Sequence, residues 1–257
     1  MLFDTHAHYD DDKFDSDRDE LLASMPEHGV GLILNPGCDL ETSRKAVDYA
    51  ERFPHVYAAV GIHPENIEGV DIDRDLPQIE SLAKSSPRVR AIGEIGLDYY
   101  WVKDPEERRF QAELFHAQMR LAKRLALPVI IHDREAHLDS LTVAEQHPGV
   151  RGVFHCYSGS VDFAMRLLEL GYNLSFTGVI TYKNAKKAAE VVRAVPLDRL
   201  MIETDAPYMA PEPFRGKRNS SLYVYRMAEA IAEIKELPLE EVIRQTTENG
   251  KKLFGIV

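Results

Sequence analysis

Seven side chains of the kinds that bind cations or move protons recur in short apolar runs of this sequence: His6 and His8 in LFDTHAH, His63 in VYAAVGIHP, Glu94 in VRAIGEIGLD, His132 in PVIIHDRE, His155 in GVFHCYSG and Asp205 in RLMIETDAP. His6 and His8 pose the question most sharply. Alternate residues of a strand share a face, so both imidazoles would project together while Thr5 and Ala7 point the other way. Two rings on one face can be accidental surface polarity, a hydrogen-bonded core pair, or two ligands of a metal. Glu94 can likewise be a buried acid paired with a cation, and His132 and His155 satisfied core histidines. Taken together these separate readings become costly, because unpaired acids and imidazoles inside apolar strands carry a desolvation penalty. A metal site holding His6, His8, Glu94, His132, His155 and Asp205 turns the whole set into ligands. Six donors exceed what one four-coordinate zinc with an open position uses, so two divalent ions sharing a carboxylate is the better count. Glu94, central in the strand order, is the expected bridge, with His6, His8 and Asp205 completing one site and His132 and His155 the other. Four imidazoles favour zinc or manganese, whereas magnesium prefers oxygen ligands.

Positioning such a set is the work of the elements around it. The six runs above, with GLILNPG and NLSFTG, make eight strand candidates that alternate with longer helical patterns. Strands buried on both faces and separated by helices imply parallel pairing with right-handed crossovers, and eight such units predict a single (β/α)8 TIM-like barrel. An open doubly wound sheet is the alternative, but no G-x-G-x-x-G follows the first strand. In a barrel the C-terminal strand ends converge, which puts all seven residues near one rim. The clearest helix follows the fourth strand: Asp104 as cap, Pro105 in the first turn, Glu107 completing a capping box, and Phe110, Leu114, Ala117, Leu121 and Leu125 as one apolar stripe. Leu222 to Ile234 and Leu239 to Asn249 read as closing helices, one of them extra to the barrel. The 257 residues suit one such domain, and no low-complexity or Pro/Gly/Ser linker divides them.

Composition narrows the function classes. A formal charge of −11 argues against nonspecific coating of nucleic acid, which rests on Lys/Arg neutralising phosphates, though not against an enzyme acting on a short stretch or an end. No apolar run approaches the roughly 20 residues of a membrane span, and the N-terminus lacks signal-peptide features, so a cytoplasmic protein without a membrane partner is expected. No obligate protein partner is evident. Cys38 and Cys156 have no CxxC spacing, and Cys156 reads as a packed residue of the sixth strand.

For a phosphodiester, two metals would polarise the nonbridging oxygen, activate water and stabilise the leaving oxygen. Asp205, beside that water, is the expected general base, with Glu94 the other catalytic carboxylate. His63 and Arg134 are suited to hold phosphate oxygens, and Arg215, Lys217 and Arg218 form one concentrated basic loop where a phosphate backbone would need it.

The motifs DTHAH (Asp4 to His8), GIHP (Gly61 to Pro64), GEIGLDYY (Gly93 to Tyr100), HDRE (His132 to Glu135), HCYSG (His155 to Gly159), ETDAPY (Glu203 to Tyr208), RGKRN (Arg215 to Asn219) and TTENGKKLFGI resemble, in order and spacing, the TatD family of metal-dependent deoxyribonucleases. The resemblance implies a TIM-like barrel with a divalent-metal centre at the positions above, usually described as magnesium-dependent, that cleaves DNA, often from the 3′ end. RNA or aminoacyl-tRNA is the alternative partner, through hydrolysis of an ester or amide such as removal of D-amino acids from tRNA. A noncatalytic metal-binding barrel is disfavoured by the intact ligand set. Where the family continues RGKRN with an acidic residue and a proline, this chain has Ser220 and Ser221.

Overall fold

The computed structural model describes all 257 residues, and its strands form one sheet in sequence order with every ladder parallel. The strands are β1 (Leu2–Asp4), β2 (Val30–Pro36), β3 (Val56–Val60), β4 (Val89–Asp98), β5 (Val129–Arg134), β6 (Gly152–Phe154), β7 (Asn173–Phe176) and β8 (Leu200–Ile202). Each is followed by a helix: α1 (Arg18–Ser24), α2 (Leu40–Arg52), α3 (Ile72–Ser85), α4 (Pro105–Leu125), α5 (His137–Gln146), α6 (Val161–Glu169), α7 (Lys186–Ala194) and α8 (Tyr225–Lys235). The ring closes beyond the ladders. Thr5 N donates to Ile202 O at 3.2 Å, Asp205 N to His6 O at 2.9 Å and His8 N to Ala206 O at 2.7 Å, so the segments after β1 and β8 pair where regular strand has ended. The expected (β/α)8 TIM-like barrel is the observed fold.

Strand alternation sorts the apolar residues into two layers. Phe3, Leu32, Leu34, Ala59, Ala91, Ile130, Val153 and Met201 form the lumen cluster, while their sequence neighbours, such as Ile33, Val60, Ile92 and Ile131, pack beneath the helices. The ninth helix, α9 (Leu239–Phe254), plugs the lower end: Leu253, Phe254 and Ile256 join the lumen cluster, and Asn249 Nδ2 donates to Leu197 O and Leu200 O at 2.8 and 2.7 Å. Gly250 permits this approach, since a Cβ there would lie 2.6 Å from the Phe3 ring. The one open end is therefore the end that carries the polar residues.

Some boundaries differ from the sequence reading. The β1, β6 and β8 ladders stop after three residues each, so His6, His8, His155 and Asp205 lie just past strand ends. Cys156 is accordingly not a strand residue; it turns the chain at φ 43° with its thiol 3.5 Å from Thr177 Oγ1. Asp104 caps α4 through the amides of Glu106 and Glu107 and makes no reciprocal box with Glu107. The first closing helix starts at Tyr225, after a short 3₁₀ turn at Ser221–Tyr223 in which Ser220 Oγ accepts from Leu222 N, and the second runs on to Phe254. No helix is long and apolar enough to cross a membrane.

Candidate metal-centred active site

Glu94 reaches the rim because β4 carries an irregularity. Ile92 pairs with Val129 and Ile95 with Ile131, so three steps on β4 match two on β5. Ala91 faces the lumen, and strict alternation would turn Glu94 outward; the extra residue turns it inward and sends Ile95 to the outer layer. Gly96, at φ 144°, allows β4 and β5 to touch here, as a Cβ would lie 2.0 Å from the carbonyl oxygen of His132.

The carboxylate then stands between two groups of nitrogen donors. On one side, Oε2 lies 3.1 Å from His6 Nε2 and 3.5 Å from His8 Nε2. Those two nitrogens are 3.0 Å apart and lie 3.8 and 3.5 Å from Asp205 Oδ1. On the other, Oε1 lies 2.7 Å from His155 Nε2, 2.9 Å from His132 Nδ1 and 3.2 Å from His63 Nε2. The structure thus brings His6, His8, His63, Glu94, His132, His155 and Asp205 together. Metal–ligand bonds of about 2.0–2.2 Å place neighbouring donors on one ion roughly 3.0–3.5 Å apart, and the separations in both groups lie around that range. These donors fit divalent cations, which Glu94 and the nitrogen groups on either side of it would hold.

Hydrogen bonds around the rim assign the imidazole nitrogens. His132 Nε2 pairs with Asp98 Oδ2 at 2.9 Å, which leaves Nδ1 as the lone-pair donor facing Glu94. His155 Nε2 faces inward, 2.7 Å from Glu94 Oε1, while its Nδ1 makes no hydrogen bond and lies 3.4 Å from Glu203 Oε1; Glu203 is itself held by Ser175 Oγ at 2.6 Å and Cys156 N at 2.6 Å. His63 is the exception. Its Nδ1 accepts from Glu65 N at 3.1 Å, so its proton is on Nε2, and a protonated nitrogen donates a hydrogen bond and does not ligate.

The electrostatics agree with one crowded anionic bridge. Burial alone would raise the Glu94 carboxyl, but the imidazoles of His155, His63 and His6 hold it well below the usual range. Burial opposes ionisation of Asp205 too, and His8 and His6 overcome it, so its pKa is lowered. Burial lowers His63 to about 4. Against the same burial, Asp98 and Glu94 raise His132 to about 9. Burial pushes the Cys38 thiol up to about 11 and that of Cys156 to about 12, which makes neither a nucleophile at neutral pH.

Three acids of this site were not picked out from the sequence: Asp98, Glu203 and Asp4. Asp4 is fully buried and ties the rim together, accepting from Thr204 N at 2.9 Å, Thr204 Oγ1 at 2.5 Å and Ser221 Oγ at 2.6 Å. Ser221 in turn accepts from Tyr9 OH at 2.9 Å, so the serine that departs from the family pattern is a member of the network beneath His6. The signal in the sequence is a further acid inside each ligand-bearing motif: Asp4 two residues before His6, Asp98 in EIGLD and Glu203 in ETD.

Above the centre is a cavity of about 830 Å³ whose lining includes His63, Arg134, Lys187 and an apolar wall of Phe176, Val179, Ile180 and Met209. Arg215 and Lys217 are not among its lining residues; the Arg215 guanidinium lies 4.3 Å from the Tyr182 ring centroid. Arg218 is paired with both carboxylate oxygens of Asp17, at 2.7 and 2.5 Å.

The family model described as TatD related DNase matches residues 3–255. The chain belongs to that family. It is 44% identical to the Bacillus subtilis (strain 168) protein named as the uncharacterized metal-dependent hydrolase YabD, each chain being covered completely. The crystal structure of YjjV, a TatD homologue from Escherichia coli K12, superposes with a TM-score of 0.92 at 34% identity, covering 100% of this chain and 98% of that one. A TatD-family hydrolase from Entamoeba histolytica shares the fold at TM-score 0.88 and 22% identity, with 100% and 99% covered. This TatD-family chain is therefore a metal-dependent hydrolase, and the donor clusters at its rim are ones that could hold its metal.

Proposed function

We propose that this TatD-family hydrolase is a deoxyribonuclease that uses two divalent cations to hydrolyse DNA phosphodiester bonds, working 3′ to 5′ on single-stranded ends. The observation that carries the reading is the Glu94 carboxylate with a separate nitrogen group at each oxygen, His6 and His8 at Oε2 and His132 and His155 at Oε1. His6, His8 and Asp205 would hold one ion and His132 and His155 the other. The imidazole-rich donor set suits zinc or manganese, with magnesium the usual expectation for the family. When bound, such a pair polarises phosphoryl oxygens and acidifies water.

The protein's own groups divide the remaining work. Asp205, ionised at neutral pH, takes the proton of the attacking water. His63 presents its Nε2 proton to a nonbridging phosphate oxygen, and Arg134 lines the same cavity with a permanent positive charge. Arg215 and Lys217, outside the cavity, contact the strand farther from the scissile bond. The test is hydrolysis of end-labelled single-stranded DNA by metal-stripped protein reloaded with Zn²⁺, Mn²⁺ or Mg²⁺ in turn. The expected result is stepwise shortening from the 3′ end. Hydrolysis of D-aminoacyl-tRNA with no shortening of DNA would overturn the reading in favour of ester chemistry.

A further inference from the structure

We propose that Trp101 and, across the mouth, Tyr208 are nucleobase-stacking side chains that seat the nucleotides on either side of the scissile phosphate of a single strand. The inference rests on the nuclease reading. Trp101, the only tryptophan of the chain, is 60% exposed and Tyr208 is 45% exposed, and both line the cavity above the metal-centred site. They stand on opposite sides. Trp101 follows β4 and Tyr208 follows β8, and in an eight-stranded ring closed in sequence order those strands face each other across the barrel, with Glu94 between.

Each ring has a cation near it, the loop that carries Trp101 is anchored, and Tyr208 is tied down through its hydroxyl. Trp101 N donates to Asp98 Oδ1 at 2.7 Å, and Arg108 bonds the carbonyls of Val102 and Tyr99 at 2.9 Å each, so the loop is fixed before any ligand arrives. The Arg134 guanidinium lies 4.0 Å from the Tyr100 centroid and 5.5 Å from that of Trp101. On the far side, Tyr208 OH donates to Asp11 Oδ2 at 2.5 Å, and Lys13 Nζ stands 4.2 Å from its ring centroid. An aromatic face with an adjacent cation is what binds unpaired bases without reading their identity, and it needs the strand to be single because paired bases bury their faces.

The test uses the intrinsic fluorescence of Trp101 in the full-length, metal-loaded protein. The probes are a tetrathymidylate with phosphorothioate linkages and the same backbone with every base removed. Stacking predicts saturable quenching by the base-bearing chain, and binding of the abasic chain that is weaker by roughly the 5- to 150-fold each stacked base provides. On the corresponding natural-linkage chains, Trp101→Ala should narrow the ratio of kcat/KM between base-bearing and abasic substrates, and Trp101→Phe should restore most of it. Equal titration by both chains, or a Trp101→Ala variant slowed on both substrates with its ratio intact, would overturn the stacking role and make the loop structural. If wild-type protein cleaved neither chain, the nuclease reading would fall while the fluorescence titration still decided whether bases stack.

Discussion

Replacing Asp205 by Asn tests the division of labour at the rim most directly. The residue sits at φ 55°, a left-handed conformation that Asn adopts readily and most side chains do not. Its backbone bonds, Asp205 N to His6 O at 2.9 Å and Tyr208 N to Asp205 O at 2.8 Å, are unaffected by the change. The amide keeps one oxygen for the group formed with His6 and His8 and loses both the charge and the basicity. Because the imidazoles of His8 and His6 depress the Asp205 pKa, its carboxylate is a weak base, and the expected loss of kcat is toward the lower end of the 10²–10⁴-fold span of general bases, about 10²-fold or about 3 kcal/mol. The assay is steady-state cleavage of a single-stranded oligonucleotide at saturating metal, with bound metal measured in parallel. KM should move much less than kcat, since the proton is transferred only in the transition state. The metal held by Glu94, His132 and His155 should remain. Cleavage at near wild-type kcat with metal saturating would remove Asp205 from proton transfer.

Other perturbations follow from the same geometry. In the metal-free protein His132 is raised to about 9, and a cation needs its neutral nitrogen, so apparent metal affinity should climb about tenfold per pH unit per displaced proton between pH 7 and 9. The same shift makes this histidine's contribution to metal-free stability fully present below pH 6.5 and lost as pH rises through about 9. Calorimetry and chelator competition across that window check both, and a flat profile refutes them. Gly96→Ala should lower metal content and Tm, because its Cβ would meet the His132 carbonyl oxygen at 2.0 Å; a fully metallated variant of wild-type Tm would contradict the close approach. Ser221→Ala should cost about 1–3 kcal/mol in urea unfolding, because the buried Tyr9 hydroxyl proton loses its acceptor and Asp4 loses one of its hydrogen bonds while keeping those from Thr204, and an unchanged midpoint would remove the serine from the network. For DNA binding, Arg215→Ala with Lys217→Ala should flatten the salt dependence of Kd, while Arg218→Ala, already paired with Asp17, should leave the slope near wild type; the reverse order would relocate the contact.

Which of these features could be read from the sequence follows the range of the forces that make them. The barrel was legible because each strand and helix carries its own apolar period, and the rim because a parallel barrel sends every strand end the same way. Even so, the His6 and His8 pairing was right about the shared direction and wrong about its support. The β1 ladder ends at Asp4, and the next residues are held because Ala7 N bonds Leu34 O on β2 at 3.1 Å and His8 N bonds Ala206 O in the segment past β8. Glu94 points inward through a register slip between β4 and β5, which a period-two pattern on β4 alone cannot reveal. Partnership was the least legible property. Arg218 reads as an available cation in sequence, but folding sets it against Asp17, 201 residues away, and the proton position that separates His63 from the rim ligands is fixed by an amide two residues on, which residue type alone does not show. The acids behind the histidines were hidden for the same reason. Glu94 and Asp98 both lie on β4, and in space they stand on opposite sides of His132, one carboxylate on each ring nitrogen. His132 and His155 each stand between two carboxylates, Glu94 and Asp98 for the first and Glu94 and Glu203 for the second, and such flanking exists only once segments distant in the chain meet at the barrel rim.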